Sequence, residues 1–257
     1  MTYCVAILVN EGIAFASDTR SNAGIDYVSA YRKLHRFQTA ENNVIALLAA
    51  GSLATTQEVV SRIQRDLEEN APESLNSFAH LFEVAAYVGR VSRSVQESHH
   101  AALAPSGISG EATFILGGQI RNESPGLYLI YPQGNFIRSS EDTPYLQIGE
   151  NKYGKPMLDR LISPDLTLDQ ATRLCVISLI ATIKSNVSVG APIDLGIYRA
   201  NSFEPLTTGR LDSTNRYFRN LTESWDAALR DAFFALPDFQ WPKVAHAPIE
   251  LPKSHDG

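Results

Sequence analysis

MTYCVAILVNEGIAFASDTR, Met1 to Arg20, is the stretch on which the fold turns. Tyr3 to Val9 is apolar at both odd and even positions, the pattern of a strand covered on two faces rather than one. Asn10-Glu11-Gly12 is a turn signal, and Ile13 to Ser17 returns as a second strand, so the segment reads as a hairpin. Taken as a three-residue loop, the turn sets Val9 opposite Ile13, Cys4 opposite Asp18 and Thr2 opposite Arg20. That register puts a carboxylate near the start of the first strand. The first residues of a domain are usually loose, whereas here an apolar strand follows Thr2 directly, and the expectation is that Thr2 is held in place for a chemical reason.

Outward from the hairpin, Leu34 to Phe37 and Val44 to Ala50 form a second strand pair, joined around Asn42-Asn43. A two-residue loop there would set Lys33 opposite Ser52 and beside Gly51. Thr55 to Asn70 and Leu75 to about His99 carry apolar residues at helical spacing. Strands resume at Thr113 to Leu116, Leu127 to Tyr131, Phe136 to Arg138 and Tyr145 to Ile148, separated by Gly, Pro and Asn turns. Helices return at Tyr153 to Ile162 and at Leu168 to Lys184, the second behind the capping-box spacing of Thr167-Leu-Asp-Gln170. Ile193 to Arg199 is a last strand. Strands with two apolar faces need cover on both sides, so this order implies an α+β fold of four layers, αββα, with helices outside a pair of stacked sheets. The expected core domain is 2–208, and 209–257 is an extension with an amphipathic segment, Asp212 to Phe234, and a Pro-rich tail from Leu236.

Composition narrows the function. At 257 residues with a formal net charge of −6, the chain lacks the basic footprint that neutralises phosphates, so nucleic acid is not an expected partner. Cys4 and Cys175 are far apart and in no CxxC pattern, which points away from a disulfide framework or a metal site. No run reaches the length of a membrane span and no secretory signal pattern is present, so a cytoplasmic protein without a membrane partner is expected. Ser106-Gly-Ile-Ser-Gly110 lacks the lysine of a phosphate loop, and no cofactor is indicated.

Thr2 supplies the chemistry. Removal of Met1 would leave a hydroxyl and a free α-amine on one residue, and that amine, with an ordinary pKa of about 7.7–8.0, is partly neutral near pH 7 and able to take the hydroxyl proton. Lys33 nearby would disfavour protonation of the amine, and Asp18 would keep the lysine charged and oriented. The Gly51 N–H could donate to a developing oxyanion. Ala49 and Ala50 beside it suggest an open pocket.

Thr2 before a strand, Ser17-Asp18-Thr19-Arg20 after the turn, Lys33-Leu34 and Ala50-Gly51-Ser52 together resemble the signature of proteasome β-type N-terminal nucleophile hydrolases, a family related to HslV. Over roughly Thr2 to Thr207, and in the long C-terminal extension, the wording is most similar to the bacterial proteasome-like Anbu group. The resemblance implies the αββα fold, Thr2 as nucleophile, Asp18 and Lys33 as its electrostatic partners, Gly51 as oxyanion donor and Ser188 as a further site serine. It also implies a homo-oligomer, as a ring or ring-like stack, acting on a peptide or protein substrate, with room for an unidentified activator. Two positions depart from the family pattern: Gly149-Glu150-Asn151 stands where Gly-Ser-Gly is common, and Ser185 replaces an aspartate three residues before Ser188. Glu150 is therefore a candidate substitute partner for Thr2. The expected activity is a threonine-type peptidase working through a Thr2 acyl-enzyme. A non-catalytic scaffold or gating subunit, and an amidase for a small amide or γ-glutamyl compound, are the alternatives. The absence of an extra helix ahead of the first strand favours the active form over a scaffold of the α type.

Overall fold

The computed structural model describes residues 1–22, 28–37, 39 and 43–242. One five-stranded antiparallel sheet has the order β10-β1-β2-β11-β12, built from β1 (Tyr3–Val9), β2 (Gly12–Asp18), β10 (Tyr145–Gly149), β11 (Ile193–Arg199) and β12 (Thr207–Leu211). The other has the order β5-β6-β7-β8-β9, from β5 (Leu34–Arg36), β6 (Asn43–Gly51), β7 (Ala112–Ile120), β8 (Gly126–Ile130) and β9 (Phe136–Arg138). A short pair, β3 (Arg20–Asn22) with β4 (Val28–Ala30), stands apart from both.

Alternation along β1 explains the layering. Tyr3, Val5 and Ile7 point outward and pack on α4 (Leu168–Ser185) and α3 (Lys155–Leu161), against Leu158, Leu174, Cys175 and Leu179. Cys4 and Ala6 point inward, where with Ile13 and Phe15 they meet Val44, Ala46, Leu48 and Ile115 of the second sheet. On that sheet's far side Ile45 and Leu47 pack on Val59 and Ile63 of α1 (Leu53–Glu68) and Val84 and Val88 of α2 (Leu81–Leu103). Three apolar interfaces separate four layers, which is the αββα sandwich, and the period-two side-chain pattern is its cause.

Both hairpin registers differ from the sequence expectation. Val9 pairs with Gly12 and Cys4 with Ser17, so the first turn holds two residues, Asn10 and Glu11, and Gly12 belongs to β2. Gly12 has φ +144°, and a Cβ there would lie 2.0 Å from the Tyr198 carbonyl oxygen, so its role is close approach to β11. In the second pair Leu34 faces Leu48, and Ala49 donates its N–H to the Lys33 carbonyl at 2.9 Å, so Lys33 lies opposite Ala49 and not Ser52. The connection is longer than two residues; of the expected turn, Asn43 opens β6 and Asn42 lies outside the described residues.

Several element bounds also move. Leu75 lies ahead of α2 and fills the core from a turn-rich segment, while His99 sits inside α2 with its ring 2.8 Å from Glu58. Glu150 precedes α3 by five residues and is not a first-turn carboxylate. β12 runs through the expected boundary at 208, and beyond it α5 (Arg216–Phe234) lies on α4 through its first half, with Phe218 reaching the outer core. No helix among the described residues is long and apolar enough to cross a membrane.

Candidate active site

The start of β1, just after Thr2, meets the end of β2 through the Tyr3 N–H to Asp18, and meets β6 two residues before Gly51 through the Cys4 thiol to the Ala49 carbonyl. Tyr3 pairs with Gly149 at the end of β10, and Glu150 donates its N–H to the Thr2 carbonyl at 2.7 Å. Gly149 has φ +84°, and a Cβ on it would lie 1.9 Å from the Thr2 carbonyl oxygen, so only glycine lets β10 close on Thr2. Thr2 itself is half-buried, while Met1 is 62% exposed. The main chain of Thr2 is thus fixed, and the residue ahead of it projects outward.

Beneath Thr2 lies a buried ion pair. The Lys33 ammonium donates to Asp18 Oδ1 at 2.7 Å and to the Arg20 carbonyl at 2.6 Å. Asp18 Oδ1 also accepts the Tyr3 N–H at 3.0 Å, and Oδ2 accepts the Gly190 N–H at 3.4 Å. Burial pushes the Asp18 carboxyl above the usual carboxylate range, against the lowering pull of Lys33 and of the two N–H groups. Both oxygens face donors, the arrangement an ionised carboxylate requires. An ammonium has three N–H donors, and two of them are used by Asp18 and the Arg20 carbonyl. The sequence expectation had Asp18 opposite Cys4; the observed register brings it instead to the Tyr3 N–H, one residue nearer Thr2. Cys4, facing inward with its thiol donating to the Ala49 carbonyl at 3.6 Å, is inert because burial pushes its pKa up.

Gly51 closes β6. Ser52 donates its N–H to the Glu111 carbonyl on the β7 side, and Ala49 donates its N–H to Lys33 on the β5 side. Strand alternation then aims the Gly51 N–H to the β5 side, past the point where that strand has ended. Gly51 is exposed at φ +114°, and a Cβ would strike the Glu111 carbonyl oxygen at 2.3 Å. The arrangement is an outward-facing backbone donor on a rigid strand end. Ala49 and Ala50 are both packed in the core and do not line an opening.

Glu150 is buried, with 7% exposure, and its Oε2 accepts the Asn186 side-chain amide at 3.0 Å. Ser188 is half-buried, and its N–H is taken by Asn186 Oδ1 at 2.9 Å. Its hydroxyl bonds to none of Thr2, Asp18 or Lys33 among the described residues. The 186–190 loop is clamped by Arg20, whose Nη1 donates to the Val187 carbonyl at 2.6 Å. Ser185, which the resemblance sets where the family has an aspartate, is exposed at the last turn of α4. Asn186 was not among the residues expected at this site, whereas Arg20 belongs to the Ser17–Arg20 motif and acts here as a loop clamp. Asn-x-Ser after a helix is an Asx-turn signal, and it marked Asn186.

The family model described as Proteasome subunit matches residues 2–198. Among solved structures, Anbu (ancestral beta-subunit) from Yersinia bercovieri is 41% identical with a TM-score of 0.87, covering 94% of this chain and 100% of that one. The Anbu complex from Pseudomonas aeruginosa, described as a helical assembly, is 39% identical with a TM-score of 0.88, over 93% of this chain and 98% of that one. Proteasome subunit beta 2 of Nitrosopumilus maritimus is 25% identical over 215 residues, 80% of this chain and 90% of its own length. With the four-layer sandwich and the match over 2–198 together, the chain belongs to the proteasome subunit family, with Anbu proteins as its structural neighbours.

Proposed function

We propose that this chain is a threonine-type N-terminal nucleophile amidohydrolase, a peptidase acting through an acyl-enzyme on Thr2 within a homo-oligomer. The observation that carries this reading is the buried Lys33–Asp18 pair bonded to the main chain next to Thr2, a charge arrangement with little value as a simple stabiliser. Once Met1 is removed, the neutral α-amine of Thr2 accepts the hydroxyl proton as Oγ1 attacks the substrate carbonyl carbon. The Lys33 ammonium disfavours a second positive charge on that amine and stabilises the oxygen as its proton leaves. The tetrahedral oxyanion is held by the Gly51 N–H, a kind of contact contributing about 3–4 kcal/mol in other hydrolases. Collapse breaks the C–N bond, the departing amine takes the proton from the Thr2 ammonium, and an ester on Thr2 remains. Water then attacks that ester with the α-amine as base, releasing the acid and restoring Thr2. Glu150, whose N–H holds the Thr2 carbonyl and whose carboxylate accepts the Asn186 amide, is the candidate to supply the carboxylate that Ser185 does not. Homo-oligomerisation is supported by the helical assembly described for the Pseudomonas aeruginosa relative and by the exposed aromatic face of α5.

Release of amine from a panel of peptide amides, compared between the wild-type chain and Thr2→Ala, tests the reading. Release by the wild type and none by the variant is expected. Equal release by both refutes Thr2 as nucleophile. A wild type that is acylated by a β-lactone at Thr2 yet cleaves no peptide moves the substrate class to a small amide.

A further inference from the structure

Three elements end around Thr2, and one side chain joins two of them. Asn186 follows the last turn of α4, donating its own N–H to the Thr182 carbonyl at 2.8 Å. Its amide nitrogen holds Glu150 Oε2 at 3.0 Å, and its amide oxygen takes the Ser188 N–H at 2.9 Å. Its carbonyl accepts the Val189 N–H at 3.1 Å, so the loop turns back and delivers the Gly190 N–H to Asp18 Oδ2. Glu150 is the residue whose N–H fixes the Thr2 carbonyl. Glu150 Oε1 makes no hydrogen bond among the described residues and is not one of the buried polar atoms left without a partner, so it still reaches solvent on the open side of the residue.

We infer that Asn186 is a positioning residue for the Thr2 reaction: a single primary amide fixes the Glu150 carboxylate at one end and the Ser188 loop at the other. The inference rests on the reading of Thr2 as nucleophile. An amide is suited to the task because its NH2 group only donates and its oxygen only accepts. The NH2 group therefore occupies Glu150 Oε2 without bringing a charge, and Oε1 is left for the α-ammonium that forms during acylation. An aspartate at 186 would instead set two carboxylates at hydrogen-bond distance, where both cannot be ionised cheaply. The charged groups bonded to the same framework are Asp18 and Lys33 below Thr2 and Arg20 from β3, while Lys184 on α4 is turned away to Asp226.

The test is the rate of β-lactone acylation at Thr2 as a function of pH in the wild type, Asn186→Ala, Asn186→Asp and the double variant Glu150→Gln with Asn186→Asp. Asn186→Ala should lower the rate at every pH. Asn186→Asp should fall by about tenfold at pH 8 and recover as one carboxyl of the pair takes up a proton at lower pH. The double variant restores a donor–acceptor pair with its polarity reversed and should regain part of what Asn186→Asp loses. Wild-type rates and pH profile in both single variants would overturn the role, as would equal, pH-independent losses with no rescue. Amide hydrogen exchange supplies a readout independent of acylation: exchange at Ser188 and Glu150 should be faster in Asn186→Ala. A wild-type chain that is never acylated removes the Thr2 reading alone, and unchanged exchange in Asn186→Ala removes the role of Asn186.

Discussion

α4 and α5 are nearly equal in length, 18 and 19 residues, and both are amphipathic, yet α4 buries ten residues and α5 none. The difference lies in what each apolar face meets. α4 crosses β1 and β2, so Leu174, Cys175 and Leu179 are covered by the sheet. α5 begins on α4, with Leu221 and Trp225 half-buried, and then runs past the core, leaving Leu229 at 46% and Phe233 at 67% exposed. Periodicity therefore tells that a face is apolar, and only the topology tells whether this chain covers it. The same contrast divides the molecule: α4 ends in the loop that reaches Asp18 and Glu150, whereas α5 leaves an aromatic face exposed.

Disrupting the α4 side should cost stability and chemistry together. Lys33→Ala leaves the Asp18 carboxylate buried without its cation, a change that costs about 3–5 kcal/mol and should abolish Thr2 acylation. Chemical denaturation and β-lactone acylation measure the two effects; a stable variant that still acylates would remove Lys33 from the mechanism. Leu179→Ala, in the buried face of α4, should lower stability by about 2–5 kcal/mol. Phe233→Asp on α5 should leave the stability of the single chain within about 0.5 kcal/mol of wild type. In the proposed homo-oligomer the same substitution should weaken association, measured by sedimentation, and an unchanged profile would show that α5 is not an interface. Lys184→Ala cuts the exposed ion pair between the two helices and should cost at most about 1 kcal/mol.

Acidification sharpens the contrast in another way. The Asp18 pKa is raised by burial, so its proton returns at a pH above the usual carboxylate range and the Lys33 pairing is lost there. Acylation falls first as the Thr2 α-amine takes up a proton, and a further step should follow where Asp18 is protonated, above the value of an exposed aspartate. A second step in the ordinary carboxylate range, or none, would show that Asp18 does not control the site.

Much of this was legible in the sequence. Two-sided apolar strands and helical periodicity gave the order of elements and the four layers, because burial imposes both patterns. Thr2, Asp18, Lys33 and Gly51 are visible as candidates from their chemistry, and the structure joins Lys33 to Asp18 and Asp18 to the N–H of Tyr3, the residue after Thr2. The registers were not legible. Gly12 reads as a turn residue, but its backbone serves β11, a partner distant in sequence, and the connection into β6 gave no length signal. β12 was hidden because Thr207–Leu211 is an exposed edge strand without apolar alternation. Asn186 carries no signal of its own beyond an Asx turn, because its two partners, Glu150 and the Ser188 N–H, meet only in the folded chain, while the neighbouring Ser185 is exposed.

The central claim is that Thr2, freed of Met1, is the nucleophile. Mass spectrometry of the N-terminal peptide from native protein treated with a β-lactone tests it directly. The account predicts a chain that starts at Thr2 and carries one adduct on that residue; a retained Met1, or an adduct elsewhere with Thr2 untouched, would contradict it.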